Sequence, residues 1–184
     1  MNPQEKSDPR SDEALIEAAN EGDVSAFEAL YYRYRDWVVG LAYRFTGDRD
    51  EALDVLQDTF AYLLKKFPGF RLSAKMTTFL YPVVKSLSIA VRRKMRRYVF
   101  DDDIARQVAG PQTEGQASRA ELAAVLATLP QKHREVVLMR FVDGLSLGEI
   151  AQALGTPLGT VKSRLHNALK TLRNDERTRR YFEK

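Results

Sequence analysis

The chain has 184 residues, of which 44% are hydrophobic, and its formal net charge at neutral pH is +4. This length and apolar content predict one or two small domains with packed cores and exclude a wholly disordered chain. The lack of cysteine excludes disulfide frameworks, thiolate nucleophiles and cysteine-ligated zinc, and the two histidines occur in unrelated contexts. We therefore expect no metal site and no cofactor.

The amino-terminal segment, residues 1–11, is polar and is predicted to be disordered. It lacks the order of cations followed by an apolar stretch that marks a secretory signal peptide. No apolar run in the chain approaches the length needed to cross a bilayer. These features predict a cytoplasmic protein without membrane insertion.

Residues 12–98 are predicted to form a first domain of four helices. The first helix covers residues 12–20, and the second has an aromatic-rich inner face between Phe27 and Phe45. The third helix shows an apolar stripe between Ala52 and Phe67. A Thr-Gly-Asp sequence separates the second helix from the third, and a Pro-Gly pair ends the third.

The third helix has a second face that the core does not need. It is lined by Asp54, Gln57, Asp58 and Ala61, with Leu53 and Tyr62 beside them. Carboxylates and an amide next to apolar groups are typical of a docking surface for a basic or polar helix, but the periodicity fits an ordinary solvated face equally well. We expect neither metal binding nor acid/base chemistry, because no histidine or third carboxylate accompanies the pair of aspartates.

The fourth helix is predicted from about Thr77 to about Tyr98 and is strongly basic. Between Lys85 and Arg97 there are six cations and no acid. Aromatic side chains beside cations are typical of surfaces that bind single-stranded or melted nucleic acid. The alternative places Phe79 and Tyr81 in the core and the cations in solvent. Pro82 marks either the true start of this helix or a kink in it.

Residues 99–117 have the composition of a flexible linker, which is acidic at positions 101–103. A second domain follows at residues 118–173, and residues 174–184 form a charged tail. The sequence shows no alternation typical of strands. The predicted fold is therefore all-α, with two small helical domains joined by a flexible linker and a helix-turn-helix in the second domain.

The helix-turn-helix is predicted from its caps and its turn. Ser146 and Glu149 form a capping box, Gly155 supplies the turn, and Thr156 caps the second helix with Pro157 at its first position. The outer face of this second helix carries cations and polar groups but no carboxylate, which favours insertion into a DNA major groove, although a plain bundle would show the same apolar stripe. We expect the inner face to consist of Leu158, Val161, Leu165, Ala168, Leu169 and Leu172.

Three motifs in this order resemble those of the bacterial extracytoplasmic-function (ECF) sigma factors, the minimal two-domain members of the sigma superfamily. The first, LYYRYRDWVVGLAYRFTGDRDEALDVLQDTF, is similar to the polymerase-binding segment of that family. The second, FRLSAKMTTFLYPVVKSLSIAVRRKMRR, resembles the segment that melts and reads the minus-ten element. The third, LPQKHREVVLMRFVDGLSLGEIAQALGTPLGTVKSRLHNALKTLR, resembles the reader of the minus-thirty-five element.

The resemblance implies a promoter-specificity subunit that is not an enzyme and has no catalytic residues. It implies contact of core RNA polymerase, through the clamp coiled coil of the largest subunit, with Leu53, Asp54, Gln57, Asp58 and Phe60. It assigns the downstream promoter element to Arg71, Lys75, Met76, Phe79, Lys85, Ser86, Arg92, Arg93 and Arg96. It assigns the upstream element to Thr160, Lys162, Ser163, Arg164, His166, Asn167 and Lys170. The polymerase flap and an anti-sigma factor are further partners that it implies.

The chain departs from the family pattern in the downstream reader. Where many members have tryptophan, asparagine and aspartate, this chain has Phe79, Ser86 and Ala90. A serine hydroxyl cannot reproduce the paired donor and acceptor of an asparagine amide, so the resemblance does not predict which downstream bases are read. In the upstream reader, Asn167 has the chemistry to read an adenine with two hydrogen bonds.

Two other functions are compatible with parts of the sequence. A stand-alone DNA-binding regulator would use the helix-turn-helix on an operator without polymerase. A nucleic-acid enzyme such as a recombinase would need a positioned nucleophile or metal-binding carboxylates, and the sequence shows no such cluster.

Overall fold

The computed structural model describes residues 8–96 and 123–179, and every regular element in these ranges is helical. The first lobe, residues 8–96, consists of α1 (Asp12–Asn20), α2 (Val24–Thr46), α3 (Arg49–Leu64) and α4 (Met76–Arg96). The second lobe, residues 123–179, contains α5 (residues 123–128), α6 (Gln131–Phe141), α7 (Leu147–Ala153), α8 (Leu158–Asn174) and α9 (Glu176–Arg179). The all-α prediction is confirmed.

Carboxylate caps and one glycine set the helix boundaries in the first lobe. Asp23 accepts a hydrogen bond from the amide of Ser25 (2.9 Å) at the start of α2. Asp48 accepts from the amides of Asp50 (2.9 Å) and Glu51 (3.0 Å) at the start of α3. Such caps satisfy amides that have no partner within the helix, and their negative charge complements the helix dipole. Gly47 ends α2 with φ at +76°, a conformation that glycine adopts without steric cost.

Aromatic rings fill the core between α2 and α3. The ring of Phe60 lies 4.9 Å from that of Tyr31 and 6.3 Å from that of Phe27, both in edge-to-face geometry. Each such pair contributes about 0.5–1.5 kcal/mol beyond the burial of its surface. Phe60 is only 5% exposed as a result. It therefore faces the core and not the outer face of α3.

Helix α4 runs through Pro82 from Met76 to Arg96, close to the predicted start at about Thr77. Of the two interpretations left open for Pro82, a helix start is therefore wrong. Pro82 is exposed, while the neighbouring Tyr81 is only 2% exposed and packs in the core, as the alternative interpretation of the aromatic residues required. Because proline has no amide hydrogen, the carbonyl of Thr78 lacks the usual donor four residues later.

Asn20 joins the end of α1 to the segment between α3 and α4. Its Oδ1 accepts hydrogen bonds from the amides of Gly69 (2.7 Å) and Phe70 (3.0 Å), and its Nδ2 donates to the carbonyl of Phe70 (2.8 Å). One side chain thus satisfies three backbone groups that no helix would satisfy. It fixes the chain immediately before Arg71.

The second lobe confirms the capping box and corrects the start of the following helix. The amide of Ser146 donates to Oε2 of Glu149 (2.7 Å), and the amide of Glu149 donates to Oγ of Ser146 (3.3 Å). The prediction that Thr156 caps α8 was wrong, because α8 begins after Pro157 and the Thr156 hydroxyl donates to the carbonyl of Leu154 (3.2 Å). Leu158 is 43% exposed and not inward as predicted. The buried face of α8 consists of Val161, Ala168 and Leu172, with Leu165 and Leu169 partly buried.

The ends of the described ranges add order that the sequence did not predict. Arg10, within the segment predicted to be disordered, forms ion pairs with Asp8 (2.8 Å) and Asp23 (3.2 Å). The predicted tail contributes α9, in which Thr178 is 6% exposed. The predicted linker, residues 99–117, and the predicted start of the second domain at 118 lie outside the described residues.

The two lobes pack against each other. Leu80 and Val84 of α4 belong to the same buried apolar cluster as Leu145 and Ile150 of the second lobe. Helix α7 of the second lobe packs on α4, and α6 also reaches α4 through the hydrogen bonds that Tyr81 and Lys85 donate to Glu135. The sequence predicted two lobes but not this contact between them.

Candidate functional site

The outer face of α8 forms the first candidate surface. We call it the recognition face and define it by Thr160, Lys162, Ser163, Arg164, His166, Asn167 and Lys170. All of these except Thr160 and Arg164, which are partly buried, are exposed. The described part of α8 up to Asn174 carries no carboxylate, so the face presents only cations and neutral polar groups to solvent. This arrangement suits the phosphates and base edges of a DNA groove.

Local contacts hold the recognition face in place. Gly155, with φ at +57°, allows the tight turn between α7 and α8, and Ile150 anchors α7 in the core. Arg134 donates hydrogen bonds to the carbonyls of Leu126 (2.8 Å) and Leu129 (3.1 Å), at the end of α5. The Arg134 guanidinium therefore satisfies carbonyls at the end of α5. Together these contacts fix the helices that surround α8.

The outer face of α3 forms the second candidate surface. We call it the α3 stripe and define it by Leu53, Asp54, Gln57 and Asp58, all of which are exposed. Leu53 is 40% exposed and places an apolar side chain beside two carboxylates and an amide. Phe60, predicted to be part of this surface, lies in the core and cannot touch a partner from there.

The third candidate surface, which we call the downstream surface, follows the segment before α4 and the outer face of α4. Two of the nine predicted members are not part of the exposed surface that the structure describes. Met76 is 0% exposed and cannot contact DNA, and the side chain of Arg96 lies outside the described residues. The remaining members are exposed or partly exposed: Arg71, Lys75, Phe79, Lys85, Ser86, Arg92 and Arg93.

Phe79 shows how the downstream surface is joined to the core. Its ring packs on Phe70, with ring centroids 4.9 Å apart, and stacks near Tyr62 at 6.5 Å. Phe79 is only partly exposed as a result. Core packing therefore buries most of the Phe79 side chain, in agreement with the sequence interpretation that placed Phe79 in the core.

Carboxylates of the second lobe pair with cations of the first lobe at the edge of the downstream surface. Lys85 Nζ lies 2.5 Å from Oε1 of Glu135, and the same oxygen accepts a hydrogen bond from the hydroxyl of Tyr81 (2.9 Å). Lys75 Nζ lies 2.9 Å from Oε1 of Glu149. The hydrogen bond from Lys75, together with that from the Ser146 amide, lowers the pKa of the Glu149 carboxyl below its ordinary value.

A third pair lies deeper between the lobes. Arg44 Nη2 donates to both carboxylate oxygens of Asp143, each at 2.7 Å. Burial raises the pKa of the Asp143 carboxyl, against the opposing effect of Arg44, and burial also raises the pKa of the neighbouring Tyr81 hydroxyl. No local sequence pattern pointed to Arg44, Glu135 or Asp143, since their partners lie far away along the chain.

Neither a metal-binding cluster nor a helix that could span a membrane is found among the described residues. Within these ranges no group of three or more histidine and carboxylate side chains is arranged to hold a metal. None of the described helices has the combination of length and apolar character that spanning a bilayer requires.

Comparison with known proteins matches both lobes to one family. Residues 30–98 match the family described as Sigma-70 region 2, and residues 119–172 match Sigma-70, region 4. Over 183 residues the chain is 31% identical to the ECF RNA polymerase sigma factor SigW of Bacillus subtilis, a match that covers 88% of this chain and 95% of the relative. The ECF RNA polymerase sigma-E factor of Haemophilus influenzae is 28% identical, with 89% of this chain and 94% of that protein covered.

Two solved structures share the fold. One is the sigma factor RpoE in complex with the anti-sigma factor NepR from Bartonella quintana, with a TM-score of 0.65, 22% identity, and 82% of this chain and 96% of that chain covered. The other is CnrH in complex with the cytosolic domain of CnrY, with a TM-score of 0.64, 22% identity, and 87% and 93% covered. At this identity the likeness concerns the fold of the helical lobes.

Proposed function

The chain belongs to the extracytoplasmic-function family of RNA polymerase sigma factors, and from that membership we propose how its surfaces divide the work of directing polymerase to promoters. The recognition face binds the upstream promoter element. The α3 stripe binds core RNA polymerase. The downstream surface binds and helps to open the downstream element. The observation that carries this proposal is the exposed, carboxylate-free face of α8 on a helix-turn-helix with a complete capping box.

The chemistry of the recognition face supports sequence-specific contact with duplex DNA. Lysine and arginine side chains suit phosphates, whereas the amide of Asn167 carries a donor and an acceptor that match the major-groove edge of adenine. Lys162 and His166 lie exposed beside it. One helix can therefore both position the protein on the DNA backbone and discriminate between base pairs.

The α3 stripe supports docking to the polymerase. Its two carboxylates and its amide suit a partner helix that carries basic and polar groups, and Leu53 adds apolar area at the same place. We propose that the α3 stripe binds the clamp coiled coil of the largest polymerase subunit. The second lobe is proposed to bind the flap of the polymerase.

The downstream surface supports binding of a melted strand. Arg71, Arg92 and Arg93 supply positive charge at exposed or partly exposed positions of the first lobe. Opening the duplex then needs no covalent chemistry, because contacts to unstacked bases offset an unstacking cost of a few kcal/mol. The protein acts in this proposal by binding alone and is not an enzyme.

An anti-sigma factor is a further proposed partner. The two solved structures with the same fold each contain a sigma factor or its relative bound by another protein, which in one case is named as an anti-sigma factor. Because polymerase and chromosomal DNA are the other two partners, the proposed place of action is the cytoplasm.

Transcription in vitro tests this proposal. Purified bacterial core RNA polymerase without a sigma factor is supplied with the full chain and genomic DNA, and the transcript starts are mapped. We expect starts at a defined set of promoters, and no specific starts without the chain. A polymerase that neither binds the chain nor initiates would contradict the proposal.

The variant D54A/Q57A tests the α3 stripe in a pull-down with core polymerase. Both side chains are exposed, so the fold should persist while polymerase binding weakens about tenfold, a loss of about 1.4 kcal/mol. The control variant D36A removes an exposed carboxylate from α2. Equal polymerase affinity of the two variants in a pull-down would remove the α3 stripe from the proposal.

A further inference from the structure

A cavity of about 130 Å³ lies between the two lobes. The end of α2 and part of α4 form one wall, and α5 with α6 form the other. Ile89 of α4 and Ala127 of α5 both line the cavity and are exposed, so the cavity opens to solvent. An apolar cavity of about 150 Å³ in another protein holds one benzene molecule. This space therefore suits a compound with an apolar body no larger than one ring.

Both lobes contribute apolar surface to the cavity. In the first lobe the rings of Phe45 and Tyr81 pack edge to face, with their centroids 6.3 Å apart. In the second lobe Leu126, which is 5% exposed, and the partly buried Leu138 add aliphatic surface. Pockets that bind small molecules are typically lined by such side chains, with a few polar groups that orient the ligand. The walls therefore suit an apolar ligand body.

The charged part of the lining is mainly cationic. Among the described residues that line the cavity, Glu135 is the one carboxylate, and the cations are Arg44, Lys85, Arg92 and Arg134. Lys85 forms an ion pair with Glu135, and Arg134 donates to backbone carbonyls at the end of α5. Positive charge therefore exceeds negative charge around the cavity, which favours an anionic ligand.

Arg44 brings to the cavity a buried donor that the protein leaves without an acceptor. Its Nη2 donates to both carboxylate oxygens of Asp143, each at 2.7 Å. Its Nη1 is buried and finds no acceptor among the described residues. A buried donor without a partner destabilises the folded protein, and an oxygen atom of a ligand at this place would remove that cost. The unpaired nitrogen therefore points to an acceptor within the cavity.

From the size of the cavity, its charge and this unpaired donor, we propose that the protein binds a small organic carboxylate between its lobes. One carboxylate oxygen accepts a hydrogen bond from Arg44 Nη1, and the apolar body lies against Phe45, Leu126 and Leu138. A hydrogen bond between two charged groups is about twice as strong as a neutral one, so the carboxylate orients the ligand. The inference goes beyond the proposed function and does not rest on it, because none of these four residues belongs to the three candidate surfaces.

The first experiment tests the two halves of the ligand separately on the unmodified full chain. Benzoate has a carboxylate and a ring, benzyl alcohol has the ring without the charge, and acetate has the carboxylate without the ring. Titrations followed by saturation-transfer NMR measure binding. We expect a Kd of the order of 1 mM or lower for benzoate, and binding at least about tenfold weaker for the other two. Failure of benzoate to bind, or equal binding of either control compound, would overturn the proposal.

The second experiment fills the cavity without changing any charge. Ala124 and Ala127 are both exposed on α5, and of the two it is Ala127 that lines the cavity. We expect A127F to weaken benzoate binding at least about tenfold, because the new ring occupies the space of the ligand. The matched control A124F should bind benzoate as the unmodified chain does. A ligand held by the basic surface of the protein alone would bind both variants equally, and that result would contradict the assignment of benzoate to this cavity.

The third experiment removes the proposed donor and keeps the ion pair with Asp143. R44K retains a positive charge for the Asp143 carboxylate but lacks the second terminal nitrogen of the guanidinium. We expect R44K to bind benzoate about tenfold more weakly and benzyl alcohol unchanged, because the substitution affects only the contact to the carboxylate. Circular dichroism checks the fold of R44K, and the comparison of A127F with A124F does not depend on it. Benzoate affinity equal to that of the unmodified chain would refute the role of Arg44 and with it the proposal.

Discussion

Asn167 and Lys162 lie on the same face of α8 but offer DNA different chemistry. We expect Asn167→Ala to lose discrimination at one base pair of the upstream element, by about 1–3 kcal/mol, because the amide makes a paired donor and acceptor contact. Lys162→Ala should weaken binding to all sequences about equally and reduce the salt-dependence slope by about 1, since an ammonium pairs with a phosphate. Competition binding with duplexes changed one position at a time measures both effects. A uniform loss for Asn167→Ala would contradict base reading by this residue.

Glu149 predicts a pH dependence of stability. The hydrogen bonds from Lys75 and the Ser146 amide lower the pKa of its carboxyl below the ordinary 4.5, so the charged form stabilises the folded protein. That contribution is present above pH 4.5 and is lost as the pH falls through the lowered value. Glu149→Gln should therefore melt below the unmodified protein at neutral pH, and the gap should shrink in acid. Thermal unfolding followed by circular dichroism measures it, with Glu28→Gln on the exposed face of α2 as the control.

The placement of Phe60 shows what single residues do and do not reveal in a sequence. Leu56, Phe60 and Leu63 recur at intervals of four and three, which is the spacing of a buried helical stripe, and all three are buried. The residue pattern thus indicated a core position, whereas the resemblance to a family assigned the same residue to a partner. Met76 was misassigned in the same way, because the resemblance transfers positions without their burial.

Among the elements, α4 carries the feature with the largest predicted effect on stability. Proline inside a helix costs about 3 kcal/mol relative to alanine, and part of this cost is offset by the stiffer unfolded chain, by about 0.4–1 kcal/mol. Pro82 is exposed, so Pro82→Ala leaves the core unchanged and supplies a donor for the Thr78 carbonyl. We expect the free energy of unfolding to rise by about 2 kcal/mol, measured by urea denaturation. An unchanged or lower value would mean that packing of α4 depends on a bend at this proline.

Helix starts were predictable where the signal is local. Asp48 and Ser146 cap the helices that directly follow them, and each accepts from an amide within three residues. Thr156 shows the limit of the same reasoning, because its hydroxyl finds the Leu154 carbonyl instead of a helix amide. Leu158 likewise fits the apolar period of α8 but lies in the first turn, beyond the reach of the core.

At the scale of the whole molecule, the shared apolar cluster predicts that the lobes unfold together. Leu80 of α4 and Ile150 of α7 belong to one buried cluster, so loss of either lobe exposes apolar surface of the other. Scanning calorimetry of the unmodified protein should show one transition. Two transitions already present in the unmodified protein would mean that the cluster does not couple the lobes.

The contact between the lobes lay beyond sequence reasoning for a physical reason. Arg44 and Asp143 are 99 positions apart, and no period, cap or turn relates them. The local spacing of apolar residues predicts the core of each lobe. A charged residue in the sequence, by contrast, does not indicate which partner it will pair with or whether it will face water. The pairing depends on the assembled surfaces of both lobes, which exist only after each has folded.

The side chain of Asn20 gives the amino-terminal helix an influence at a distance. By holding Gly69 and Phe70, which lie 49 and 50 positions further along the chain, it fixes the backbone that leads to Arg71. Asn20→Ala would spare every residue assigned to polymerase or DNA, and the core side chains of α1, and would still release the segment that meets the opened promoter. Defects in strand opening with intact polymerase recruitment would thus map to a helix that touches neither partner.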